Sequence, residues 1–327
     1  MDVSLTESAP VIIYRLNGEG GGQRVPTDTS NLVASPETPV WVHLDAESSD
    51  NTVWLAEQSG LRPVVADALM ELETRPRAVA YPDGVMVVLR GVNLNPGADP
   101  EDMVSIRIWL EAGRIITTSR RRLLSVDDIR EQLEQGNGPR TEGRFLIMLA
   151  HRMMDRAGVI INDLEDAIGE VEEHILAQGE SRLRGELAEL RRVGLVLRRF
   201  FGPQREALAR LVQEPTPLFD DRDRLRLREV ADQVTRYVED LDAARERAGV
   251  AHEELLSRLS EQMNQRMYVL SVVAAIFLPL GFFTGLFGIN VGGMPGVDSP
   301  MGFWLVTALM AAIGIAVLLV FRWRRWF

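Results

Sequence analysis

The chain has 327 residues, 46% hydrophobic and 25% charged, and its 47 acidic side chains outnumber 36 basic ones to leave a net charge of −11. That balance argues against a nucleic-acid partner, which requires Lys and Arg gathered on one face. Cysteine is absent, so disulfides, thiolate zinc sites and cysteine nucleophiles are excluded.

The N-terminal segment Met1-Asp2-Val3-Ser4-Leu5-Thr6-Glu7 has neither the basic start nor the apolar run of a secretory signal, so the large N-terminal part is expected to stay in the cytoplasm. Residues 1–140 read as an α/β domain. Val11 to Leu16, Pro39 to Leu44, Ala78 to Tyr81, Val85 to Val92, Val104 to Leu110 and Arg114 to Thr118 are β-branched or alternating runs bounded by Gly, Pro, Asn and Asp. Short helices are expected at Asn51 to Ser59, Arg62 to Leu72 and Ser125 to Gln135. Gly18-Glu19-Gly20-Gly21-Gly22 lacks the Lys-Ser or Lys-Thr of a phosphate-cradling loop. Gln23-Arg24-Val25-Pro26 follows instead, and the segment reads as a flexible turn. Arg120-Arg121-Arg122 sits among carboxylates and reads as a solvated turn.

From Thr141 the texture becomes helical, and residues 141–217 read as a helical hairpin. Phe145, Met148, Leu149, Met153, Ile160, Leu164, Ile168, Val171 and Ile175 recur at three- and four-residue spacing. A second helix is expected from Glu180 to Val212, and Gln213-Glu214-Pro215-Thr216-Pro217 ends it, because proline lacks a backbone donor. The acidic run Asp163, Glu165, Asp166, Glu170, Glu172 and Glu173, followed by His174, reads as a solvated face, with cation binding as the alternative. A third helix occupies 218–287. Its stripe of Val230, Val234, Val238, Leu241, Ala244, Ala248, Ala251, Leu255 and Leu259 meets no breaker before Tyr268, which predicts one stalk helix of ~100 Å running from cytoplasm into membrane.

Tyr268 to Phe287 and Met301 to Phe321 contain no Asp, Glu, Lys, Arg or His, and each is long enough to cross a hydrocarbon layer of ~30 Å. Arg258 and Arg266 precede the first span, Arg322, Arg324 and Arg325 lie in the basic tail 322–327, and the loop 288–300 carries only Asp298. Both termini are therefore expected in the cytoplasm and the loop outside. The fold class predicted is an α/β domain with a long stalk helix continuing into a two-helix transmembrane hairpin, 301–321 being its second helix.

The three-four spacing projects Asn264, Met267, Ser271, Ala274, Leu278, Gly281 and Gly285 onto one face, with Leu270 beside them, ending at Gly288-Ile289-Asn290. Small residues allow close helix packing, and the same face around an axis makes a pore; spacing leaves both readings open. A hydrated divalent cation gives up its waters reluctantly. A ring of Asn290 carboxamides accepts hydrogen bonds from those waters without a deep well, as conduction requires. Gly285 and Gly288 are expected to permit the turn that aims the ring, and Met267, Leu270 and Leu278 to form apolar constrictions. Asp298, the loop's sole charge, is the candidate outer-mouth cation ligand. No combination of nucleophile, base and orienting group marks an enzyme, and no cofactor is called for.

The order Met263-Asn264, Met267, Leu270, Ile276-Phe277-Leu278-Pro279, Gly285, Phe287-Gly288-Ile289-Asn290, a second span and Arg322-Trp323-Arg324-Arg325-Trp326 resembles the CorA family of divalent-cation transporters. The usual signature is Gly-Met-Asn. The Gly-Ile-Asn form with Val291-Gly292-Gly293-Met294-Pro295-Gly296, and the stretch Leu89-Arg90-Gly91-Val92-Asn93-Leu94-Asn95-Pro96-Gly97-Ala98, are similar to its zinc-transporting ZntB branch. The resemblance implies a funnel-shaped homopentamer in the cytoplasmic membrane, with the first span lining the pore. It implies Asn290 as the outer cation ring shaped by Gly288 and Ile289, with Asn264 and Met267 toward the cytoplasmic mouth. It further implies zinc uptake, proton-linked, although the spans hold no Asp, Glu or His to carry the proton. The alternatives are a magnesium, cobalt or nickel channel of the same fold, and a non-conducting, membrane-anchored metal sensor.

Overall fold

The computed structural model describes residues 11–26, 35–72, 74–177, 182–288 and 299–323. Alternating apolar residues build seven strands: β1 (Val11–Leu16), β2 (Gly22–Arg24), β3 (Val40–Asp45), β4 (Arg77–Tyr81), β5 (Gly84–Gly91), β6 (Val104–Glu111) and β7 (Arg114–Ser119). They form one sheet in the order β2-β1-β3-β7-β6-β5-β4. Every pairing is antiparallel except β3 with β7, which run parallel from Val40↔Arg114 to Asp45↔Ser119. The six expected strands are present with ends shifted by a residue or so.

β2 is a correction. The flexible turn expected through Gly18 to Pro26 closes a hairpin instead, with Tyr14 opposite Arg24 and Leu16 opposite Gly22. The Asn17 carboxamide oxygen accepts hydrogen bonds from the Glu19 and Gly21 amides, both at 2.9 Å. That side-chain turn brings a strand lacking β-branched residues into register, which alternation alone does not reveal.

The helices are α1 (Ser49–Val53), which continues as a π-helical turn at Trp54–Gln58, α2 (Pro63–Met70), α3 (Leu124–Glu134), α4 (Glu142–Ala177), α5 (Leu183–Gln213), α6 (Asp221–Gly288) and α7 (Gly302–Trp323). The single helix expected at Asn51 to Ser59 thus changes its winding after Val53.

Alternation along each strand sends side chains to two covered faces. On one, Ile13, Val42, Met86, Val88, Trp109 and Ile116 meet Leu55, Val65 and Leu69 of the π turn and α2. On the other, Tyr14 stacks on Trp41 and Trp41 packs against Phe145 of α4, ring centroids 4.9 Å apart. Burial on both faces explains why β5 reads as a continuous apolar run. Gln204 of α5 is buried and accepts a hydrogen bond from the Arg90 amide at 2.7 Å, while the Arg90 guanidinium lies 4.1 Å from the Phe200 ring centre. The triplet Arg120-Arg121-Arg122 is a bend whose last two members pair with Asp102 and Asp127.

The chain divides into two compact units, Met1–His252 and Glu253–Phe327, with the boundary inside α6. The predicted α6 stripe is buried at every position from Val230 to Leu255, and Leu259 is half-buried.

Candidate functional site

With no Pro before Pro279 to interrupt it, α6 carries its ladder from Asp221 to Gly288. At about 3.6 residues per turn, Met267, Leu270, Ser271, Ala274, Leu278, Gly281 and Gly285 share one side with Asn264, and all eight are exposed. The opposite side is different. Tyr268, Ala275, Ile276, Pro279, Leu280 and Phe283 are half-buried there, and Val272 is only 9% exposed against 77% for Leu278.

The cover comes from α7, whose half-buried residues Val306, Met310, Ile313, Gly314, Val317 and Phe321 recur at helical spacing. The Thr284 hydroxyl donates to the Leu280 carbonyl at 2.7 Å and lies 3.9 Å from Met310 Sδ. This seam was not read from the sequence, because an all-apolar helix has no contrast between faces. Packing against α7 thus uses one side of α6 and leaves the small and polar side open.

The open side is chemically mixed. The Ser271 hydroxyl donates to the Met267 carbonyl at 2.8 Å, so its oxygen remains an acceptor for a water or a hydrated ion. No atom lies within 4 Å of where a side chain would begin at Gly281, Gly285 or Gly288. Gly285 lies within α6 and takes no part in a turn, because the apolar run sustains the helix, whereas Gly288 is the last residue of α6 and a turn beyond it lies outside the described residues. Ile289, Asn290 and Asp298 lie outside the described residues.

Elsewhere His43 and the acidic face of α4 serve the scaffold. His43 Nδ1 lies 2.9 Å from Thr117 Oγ1, and burial pushes its imidazole down to about 4. On the acidic face of α4, Glu172 binds Arg247 of α6 at 2.6 Å. Partial burial, and then Asp240, raises the Glu165 carboxyl above its ordinary range. Among the described residues no group of three or more His, Asp or Glu is placed to hold a metal ion.

Residues 36–325 match the model of the CorA-like Mg2+ transporter protein family. The chain is 40% identical over 316 residues to the divalent cation transporter CmaX of Pseudomonas aeruginosa, covering 96% of this chain and 95% of that one. It is 36% identical over 323 residues to the zinc transport protein ZntB of Yersinia enterocolitica, covering 99% and 98%. The solved structure of full-length CmaX superposes with a TM-score of 0.85 at 38% identity, covering 98% of this chain and all of that one.

Proposed function

Because the chain belongs to the CorA-like transporter family, we propose that it moves divalent cations, zinc first among them, across the cytoplasmic membrane through a pore built from several copies of α6. One observation carries this reading: α7 covers one side of α6, while the side bearing Asn264, Ser271, Ala274, Gly281 and Gly285 stays open. A lone anchor gains nothing from a line of small and polar residues facing lipid. Around an axis, the same line becomes the wall of a narrow path.

The ring is a homopentamer, as the family resemblance implies. Met267, Leu270 and Leu278 form apolar constrictions along it, which gate by excluding water. Asn290 holds the hydrated ion at the outer end and Asp298 enriches cations at the mouth. The charge asymmetry of Arg258, Arg266 and Arg322 against Asp298 puts both termini in the cytoplasm. Inward movement of a doubly charged ion then gains ~4.6 kcal/mol per 100 mV, twice the gain of a single charge. That gradient supports uptake without an intramembrane proton carrier.

Zinc is favoured by the Gly-Ile-Asn signature and by relatives named as zinc transport proteins at 34–38% identity. A channel for magnesium, cobalt or nickel on the same scaffold is the second reading, favoured by the family's name and by the broader name of the CmaX relative. Fluxes of Zn²⁺, Mg²⁺, Co²⁺ and Ni²⁺ in proteoliposomes, under imposed voltage and pH gradients, separate the two. The decisive variant is Asn290→Ala, which keeps the assembly and loses most of the flux. Wild-type flux through an intact Asn290→Ala assembly would remove Asn290 from the filter.

A further inference from the structure

In a chain of net charge −11, one cavity among the described residues is lined by four arginines. It measures about 810 Å³ and lies between the loop before α4, the first turns of α4 and the start of α6. The guanidiniums are Arg140, Arg144, Arg226 and Arg236, and one carboxylate, Glu229, shares the wall. Arg144 is held by Asp223 at 2.9 Å. Among the described residues no carboxylate pairs with Arg140, Arg226 or Arg236, although arginines elsewhere in the same unit are paired repeatedly.

The walls are firmly built. The Gly138 amide donates to the Gly20 carbonyl at 2.6 Å and the Asn137 amide to the Gln132 carbonyl at 2.9 Å, fixing the loop that carries Arg140. The floor is apolar, formed by the buried side chains of Ile147 and Val230. Like charges gathered around one space repel each other, and an anion entering that space relieves the repulsion. Guanidinium forks suit phosphate oxygens two at a time. The volume suits a small organic molecule and exceeds what a lone inorganic ion fills, and the apolar floor offers a surface to a ring.

We propose that this cavity binds a phosphorylated organic anion of nucleoside polyphosphate class, with Arg140, Arg226 and Arg236 holding the phosphates and Ile147 and Val230 supporting the ring system. Glu229 accepts a hydrogen bond from a hydroxyl or amino group of the organic part. A divalent cation is disfavoured as occupant by the four guanidiniums. None of the lining residues belongs to the face of α6 assigned to the conduction path, and the proposal does not depend on which ion is carried.

The test is calorimetric titration of the full-length, detergent-solubilised protein with ATP, ADP, adenosine and inorganic phosphate. ATP is expected to bind more tightly than phosphate or adenosine alone. Arg226 and Arg236 are exposed, so Arg226→Glu with Arg236→Glu should leave the fold intact while weakening ATP binding roughly tenfold or more. Arg236→Lys, which keeps the charge and loses the fork, should weaken it less. No ATP binding by the wild type, or equal binding by the double variant, overturns the assignment. So does a change of oligomeric mass in the double variant without a change in ATP affinity, which would make the cavity a contact for an acidic segment of a second copy.

Discussion

Arg198 of α5 grips Asp242 of α6 through both carboxylate oxygens, Nε to Oδ1 at 3.0 Å and Nη2 to Oδ2 at 3.2 Å. The paired guanidinium holds the Asp242 carboxyl below its usual range. The clasp is fully present above the ordinary carboxylate pKa and is lost as pH falls through the lowered value. The pair is solvent-accessible, so Asp242→Asn is expected to destabilise the chain by about 0.5 kcal/mol. Thermal unfolding at low and high salt checks this, and the difference from wild type should shrink as salt screens the pair.

A large residue on the open side of α6 is expected to block conduction without harming the single chain. Gly281 has no neighbouring atom within 4 Å of its missing side chain, so Gly281→Leu meets no clash within the protomer. Flux should fall by about tenfold or more, as apolar bulk excludes water from a constriction, while the assembly keeps its mass. Unchanged flux would assign this side to lipid.

Asp298 is the only charged residue between the spans. Asp298→Asn should raise the half-saturating cation concentration and leave the maximal flux nearly unchanged. The attraction it removes fades within ~8 Å at physiological ionic strength, so variant and wild type should converge as salt is added. Equal half-saturation at low salt would leave Asp298 a loop residue only.

His43 gives the soluble unit a pH response. Its folded pKa of about 4 lies below the ordinary histidine value, so the unfolded chain binds a proton first. Stability from this residue is complete above pH ~6.5 and declines as pH falls toward 4, on the order of 1 to 3 kcal/mol across that window. His43→Gln is expected to flatten that part of the stability curve, measured by chemical denaturation at a series of pH values.

The α/β sheet, the unbroken α6 and the two apolar helices were legible because each carries its own period: two in the strands, three and four in the stalk, none in the spans. Hairpin β1–β2 was hidden because Asn17 and a run of glycines direct it. The winding change after Val53 was hidden as well, since α and π turns draw on the same residues. In the spans, spacing placed Ser271, Leu278 and Gly281 together on one side. It did not show which side α7 covers, since Thr284 facing Met310 is a matter of shape between two equally apolar surfaces.

The parallel pairing of β3 with β7 joins the third strand of the sheet to its last, so the centre of the sheet closes only after Ser119 has been synthesised. Until then β3 presents an unsatisfied edge, a stage at which such chains are prone to aggregate. Contacts of this long sequence separation slow folding. Yet every strand precedes Tyr268 by a wide margin, so the sheet has time to close before the first apolar span emerges.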